Sequence, residues 1–381
     1  MLALAFFSCA GMPSSAQQAP GQQAPEVNNP LQPERQPDLA VDRDPIPSPD
    51  IVVSTPENAK TSKPGAPGEV TKDKNGMYRI QEDVDEVLLN CTVIDEKGNP
   101  VLDLRQEAFR IWEDGVPQVA NSFAHQDVPV SLGIMIDNSG SMRDKRDAVN
   151  AAAMRLLEES NIRDAAFVVN FNERAYLDQN FTVDRVALHR GLSHFDSRGA
   201  TALYDAVAAS ADQLSHHAPQ PRQVLLIITD GADNASRLGL QDAIRRVQNL
   251  GGPVVYTIGL LYDADKKEYR KAHDDLELLS EETGGIAYFP KSIDDVDRIA
   301  SDVARDIRNQ YIVGYHSSKA ANLGGYRTLH VEAFAGGHKH LIVRTRRGYY
   351  AKPGQRKEME APGGSRSANP SGMAQPQAQT Q

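Results

Sequence analysis

The chain runs to 381 residues, 40% of them hydrophobic, so it can build one full domain with smaller additions around a sizeable core. A formal net charge of −10, with no Lys/Arg block and no basic segment interleaved with aromatics, excludes the electrostatic footprint of a nucleic-acid binder. The 2 cysteines are Cys9 and Cys91, and Cys9 falls in an N-terminal segment with the marks of an export signal, so the processed chain forms no internal disulfide.

Residues 2–7 are apolar but too few to cross a bilayer, and Ser14-Ser15-Ala16 supplies the small residues of a signal-peptidase site. We expect a signal peptide over residues 1–16 and export to the periplasm, the outer envelope or the medium, although the usual positively charged opening is missing. Acylation at Cys9 is the competing reading, but Phe6-Phe7-Ser8-Cys9 departs from the Leu-Ala-Gly-Cys pattern of lipoproteins. Residues 17–75 are rich in Gln, Pro, Ala and Gly, and such a chain buries too little surface to order itself, so a disordered linker is expected. Residues 352–381 read as a disordered tail for the same reason.

Over residues 76–127 the pattern turns to β. Residues 87–94 form an apolar strand in which Cys91 is a small buried hydrophobe rather than a nucleophile. A turn follows at 96–100, and 109–112 alternates before the turn Glu113-Asp114-Gly115. Some ~50 residues make a thin sandwich alone, so an immunoglobulin-like part needs strands from elsewhere. Residues 311–351 offer them, with strands near 310–315, 326–334 and 341–344 and a turn at 335–337.

Between these flanks, residues 128–310 alternate strand and helix, which predicts an α/β fold with a doubly wound, mostly parallel sheet. Strands are expected at 130–136, 165–171, 224–229, 254–260 and 285–289. Helices are expected at 145–159, 203–214, 240–250 and 293–308, with the end of another at 276–282. His216-His217 before Pro219 reads as a helix stop. His338 and His340, with His330 on the preceding strand, have the residue types of a Zn²⁺ site, but alternate positions on an exposed strand face explain them more simply.

The chemistry concentrates in Asp137-Asn138-Ser139-Gly140-Ser141, directly after the first buried strand. One carboxylate and two hydroxyls at alternate positions can turn toward one point, and a hard divalent cation such as Mg²⁺ takes oxygen ligands in near-octahedral order. Alone, the pentad fits ordinary turn chemistry equally well. Two further segments decide: Thr229-Asp230-Gly231 puts a carboxylate at the end of a second buried strand, and Arg198-Gly199-Ala200-Thr201 puts a hydroxyl at the mouth of a helix. Open α/β sheets bind ligands outside the carboxyl ends of their strands, where all three segments converge.

Asp137, Ser139 and Ser141, then Thr201, then Asp230, in this order and context, resemble the metal-ion-dependent adhesion site of von Willebrand factor type A domains over roughly residues 128–310. Leu102-Asp103-Leu104, Trp112-Glu113-Asp114-Gly115 and Ser122-Phe123 ahead of it, and Arg347-Gly348-Tyr349-Tyr350 behind it, resemble the type A-related secreted proteins of acidobacteria. The resemblance implies that Ser139, Ser141 and Thr201 supply hydroxyl oxygens to Mg²⁺, with Mn²⁺ or Ca²⁺ as alternatives, and that Asp137 and Asp230 act directly or through water. Asp233 stands at the rim and reads first as a solvated turn residue. A helix opening near Met142 would add its positive end. The implied function is capture of an Asp or Glu carboxylate of a protein partner, without a membrane span and without nucleic acid. The alternatives are a metal-dependent hydrolase, weakened by the missing Gly-x-Ser-x-Gly elbow and the lack of His in these motifs, and a structural envelope component with a vestigial site.

Overall fold

In the computed structural model the residues described are 39, 70–72, 78–80, 86–125, 127–194, 196–338 and 340–351. The expected signal peptide and tail lie outside them, as does most of the expected linker. Within that linker lies β1 (Val70–Lys72), a local β signal hidden by the polar composition around it, which pairs antiparallel with β2 (Tyr78–Ile80) at the start of the expected β-rich part.

The N-terminal flank supplies β3 (Glu86–Ile94), β4 (Phe109–Glu113), β5 (Val116–Gln118) and β6 (Ala120–Ala124). The turn between β4 and β5 holds Asp114 at φ 49° and Gly115 at φ 77°, the left-handed pair that a tight hairpin requires.

The middle of the chain builds a six-stranded sheet. Its strands are β7 (Val130–Asp137), β8 (Ala165–Phe171), β9 (Ala175–Thr182), β10 (Arg222–Thr229), β11 (Val254–Gly259) and β12 (Ala287–Tyr288), in the order β12-β11-β10-β7-β8-β9. All neighbours run parallel except the edge strand β9, which is antiparallel to β8. The helices are α1 (Arg146–Glu159), α2 (Arg185–Leu192), α3 (Leu203–His217), α4 (Leu240–Asn249), α5 (Lys266–Thr283) and α6 (Val296–Arg308). Strand alternation sorts the core: Leu132, Ile134 and Ile136 with Leu226 and Ile228 pack against α1, α2 and α6, whereas Met135, Leu225 and Ile227 pack against α3, α4 and α5. Both faces are covered, which is why β7 and β10 read as continuous apolar runs rather than alternating ones.

Three local expectations change. Residues 285–289 yield only the two-residue β12, the 145–159 helix begins at Arg146 after a 3-10 turn at Gly140–Met142, and β9 and α2 were not anticipated. Gly133 sits in β7 where an added Cβ would lie 2.6 Å from the Phe167 ring and 2.7 Å from Leu225 Cδ1. Gly133→Ala therefore overpacks the strand that carries the pentad, and urea unfolding is expected to show a loss of about 1–3 kcal/mol. No helix among the described residues is long and apolar enough to cross a membrane.

The last segment adds β13 (Tyr311–His316), β14 (Tyr326–Ala333), β15 (Ile342–Arg344) and β16 (Gly348–Tyr350). β13 does not follow the N-terminal strands but lies between them, antiparallel to both β3 and β6, giving the order β15-β3-β13-β6. The facing sheet has the order β16-β14-β4-β5. Leu89, Cys91, Phe109, Ile111, Tyr311, Val313 and Tyr315 fill the space between them, and burial pushes the Cys91 thiol up to about 12, as befits an inert packing residue. The α/β domain is thus an insertion between two strands of one antiparallel sheet. Asp306 at the end of α6 ties the parts together, accepting from Arg344 (2.8 Å), the Tyr256 hydroxyl (2.6 Å) and the Thr92 hydroxyl (3.4 Å).

Candidate metal centre

The pentad leaves the sheet at the carboxyl end of β7, and Asp230 leaves it at the carboxyl end of the adjacent β10. Asp137 is the last residue of β7 and is fully buried. Its Oδ1 accepts the Ser139 N–H at 2.8 Å and its Oδ2 accepts the Thr229 hydroxyl at 2.6 Å. Burial nevertheless dominates and, with the negative charge of Asp230 adding to it, pushes the Asp137 carboxyl up to about 6.

The two serine hydroxyls lie 3.2 Å apart, and that of Ser141 donates to Asp230 Oδ1 at 2.8 Å. These are ordinary hydrogen-bond lengths, and they lie close to the about 3.0 Å that separates adjacent ligands around an octahedral ion with bonds of about 2.1 Å. The donor set is all oxygen, which also fits Mg²⁺ better than a softer metal.

The Thr201 loop is fastened to the pentad through the backbone. Gly140 N–H donates to the Gly199 carbonyl (3.4 Å), and Arg198 N–H donates to the Asn138 carbonyl (3.0 Å). The Asn138 side chain completes the clamp, donating to Asp196 Oδ1 (2.8 Å) and accepting the Ser197 N–H (3.0 Å). Gly199 has φ 79°, the left-handed conformation that turns the chain into Thr201. From the other side, Asn234 Oδ1 accepts the Thr201 N–H at 2.8 Å, and the Thr201 carbonyl accepts the N–H groups of Asn234 and Ala235. Thr201 is buried between these loops.

A buried polar column supports the pentad from below. Arg146 donates to the Asp137 carbonyl (3.2 Å) and to Asn170 Oδ1 (2.7 Å), and Asn170 donates to Asp178 Oδ2 (2.7 Å). Hydrogen bonds among buried groups of this kind strengthen one another and favour a single loop conformation.

The structure therefore brings Asp137, Ser139, Ser141 and Asp230 into one hydrogen-bonded cluster and holds Thr201 in the loop clamped beside it. Asp233 differs from its sequence reading. It is not a solvated turn residue but is buried, accepting the Ser236 hydroxyl and, at 3.3 Å, the Tyr204 N–H in the first turn of α3. These bonds tie the 230–236 loop to the start of α3. The three histidines do not assemble: His330 pairs with Glu332 on its own strand and lies tilted against the Trp112 ring, and the one His/acid group with metal-like spacing among the described residues is His273, Asp274 and Glu277 on α5. Sequence reasoning assigned no role to Asn138, Thr229 or Lys145. The first two were visible as polar neighbours of the ligand positions, and Lys145 carried no signal beyond its place four residues after Ser141. A cleft of about 570 Å³ lined by His125, Asp127, Glu159 and Arg308 opens at the opposite edge of the sheet, before β7 begins, and takes no part in this cluster.

Residues 132–232, from β7 through Asp230, match the family model described as the von Willebrand factor type A domain. No curated relative matches the chain. Among solved structures it is similar to the von Willebrand domain of the type V pili tip protein Mfa5 from Porphyromonas gingivalis, with 12% identity and a TM-score of 0.40 over 48% of this chain and 96% of that one. It is similar also to a von Willebrand factor type A protein from Catenulispora acidiphila (15% identity, TM-score 0.41, 73% of this chain and 76% of that one). A third is the PilB minor pilin from Streptococcus sanguinis (12% identity, TM-score 0.39, 63% of this chain and 84% of that one). With its parallel sheet, its covering helices and the pentad at the carboxyl edge, this chain carries a von Willebrand factor type A domain.

Proposed function

We propose that the protein is an exported binding module that captures an acidic side chain of a partner protein through a Mg²⁺ ion held by Asp137, Ser139, Ser141, Thr201 and Asp230, with Mn²⁺ or Ca²⁺ as less favoured occupants. The observation that carries this reading is the oxygen cluster at the β7/β10 edge, whose 3.2 Å and 2.8 Å spacings suit a hard cation. The ion would supply a positive centre for an incoming carboxylate. The hydroxyls add no charge and the two carboxylates balance that of a divalent ion, so a partner carboxylate would be drawn by an open coordination position on a hard cation rather than by excess positive charge. Thr229 and the Ser139 N–H hold Asp137 in place, and the Asn138 clamp holds the Thr201 loop, so the donors are preorganised. Binding is favoured over catalysis because the Ser141 hydroxyl donates to Asp230, a carboxylate already paired with Lys145, rather than to a histidine base. A protein partner is supported by the domain type, and the export route rests on the sequence alone.

The test uses the full chain as bait in bacterial envelope extracts, with excess Mg²⁺ or with EDTA. Partner proteins identified by mass spectrometry should be retained in Mg²⁺ and lost in EDTA; equal recovery in both would overturn the reading.

A further inference from the structure

Lys145 occupies the turn between the pentad and α1 and points back into the cluster. Its ammonium donates to Asp230 Oδ2 at 2.8 Å, lies 3.6 Å from Asp263 Oδ2 and stands 5.3 Å from the centre of the Tyr262 ring. The side chain is 14% exposed and that of Asp230 only 1%, so this contact is largely shielded from water, whereas Asp263 is exposed. Burial by itself would lower the lysine pKa. The hydrogen bond and charge of Asp230, with Tyr262 and Asp263, outweigh it, and the ammonium is held above its usual range. Both oxygens of Asp230 are thereby engaged by the segment that leaves β7, one by Ser141 and one by Lys145.

Resting on the metal-site reading above, we propose that Lys145 is the resident cation of this site: its ammonium neutralises Asp230 when no divalent ion is bound and weakens the binding of one. Of the two cluster carboxylates the ammonium pairs with Asp230, so it offsets one of the two negative charges that would otherwise attract the ion. A lysine suits this task because its ammonium is a compact point charge on a flexible stem that can swing toward Asp263 or solvent as an ion enters. Occupancy, and with it partner capture, then requires a higher ion concentration than the oxygen donors alone would need. The pairing also keeps the loop ordered in the metal-free protein, since an unpaired buried carboxylate destabilises its surroundings.

The test is calorimetric titration of the full chain with MgCl2, for the wild type, Lys145→Met and Lys145→Arg. Methionine keeps the length and apolar stem of the side chain, and arginine keeps its charge. Lys145→Met is expected to bind Mg²⁺ at least about tenfold more tightly, Lys145→Arg close to wild type. In a thermal melt in EDTA, Lys145→Met should unfold below wild type, and Mg²⁺ should reverse the difference. If the wild type binds Mg²⁺ and Lys145→Met binds it no more tightly, this proposal fails while the metal site stands. Equal tightening in both variants would also overturn it, because bulk rather than charge would then be the cause. Absence of Mg²⁺ binding in all three proteins would overturn both.

Discussion

Asp137→Asn is expected to weaken Mg²⁺ binding by roughly three decades, read by titration calorimetry, while leaving the protein folded. Asparagine has the shape of aspartate, its carbonyl oxygen can still accept the Ser139 N–H, and Thr229 can turn its hydroxyl to accept from the amide. What disappears is one unit of negative charge next to the ion, worth about 4 kcal/mol at close range and an effective dielectric constant of about 20. An unchanged titration would show that Asp137 plays no part in holding metal. The metal-free protein should respond in the opposite direction. Burial raises the Asp137 pKa in the folded state from the ordinary 3.8 to about 6. A raised carboxyl contributes stability that is fully present below about pH 4 and is lost as pH rises through about 6, so at pH 7 the metal-free wild type bears the whole cost of the buried charge. Asp137→Asn in EDTA should accordingly melt above wild type at pH 7, and the gap should close toward pH 4.

Glu113→Ala is expected to cost about 3–5 kcal/mol in urea unfolding, because it leaves the Arg327 guanidinium buried without its counter-charge. Glu113 gathers the sandwich around one carboxylate. It accepts the hydroxyls of Tyr315 (2.6 Å), Tyr349 (2.9 Å) and Ser317 (2.6 Å) and an N–H of Arg327 (3.1 Å), joining β4, β13, β14 and β16. Arg327 is 1% exposed and also donates to the carbonyls of Lys319 and Ala320. Burial opposes the carboxylate, but the three hydroxyls and Arg327 outweigh it and hold its pKa below the ordinary 4.5. A lowered carboxyl contributes stability present above its unfolded pKa and lost as pH falls through the folded value, so the wild-type advantage over Glu113→Gln should shrink below about pH 4.5. An alanine variant with the wild-type urea midpoint would refute this account. The network also gives a physical reason for two motifs noted in the sequence, since Trp112-Glu113-Asp114-Gly115 supplies the acceptor and Arg347-Gly348-Tyr349-Tyr350 one of its donors.

Much of the fold was legible in the chain because both faces of the central sheet are buried, which makes β7, β8, β10 and β11 uninterrupted apolar runs. β9 was not legible, and the reason is specific. Its sequence Ala-Tyr-Leu-Asp-Gln-Asn-Phe-Thr breaks any apolar alternation, because Asp178 and Gln179 are buried as polar groups and Asp178 accepts from Asn170. The start of α1 was displaced because Gly140–Met142 forms a 3-10 turn before the helix proper, which puts Lys145 beside the cluster. Periodicity does not register a turn that short.

The sequence by itself determined the α/β class and named Asp137, Ser139, Ser141, Thr201 and Asp230 as one group, because strand-end position and residue chemistry are both local properties. The tertiary structure alone decided three things. β13 enters between β3 and β6, a pairing between segments roughly 200 residues apart that no local pattern encodes. Asp233 turns into the α3 end of its loop rather than toward solvent, because Ser236 and the Tyr204 N–H offer it partners. Lys145 closes onto Asp230 because a 3-10 turn and the adjacency of β7 and β10 bring an ammonium and a carboxylate 85 positions apart to within 2.8 Å.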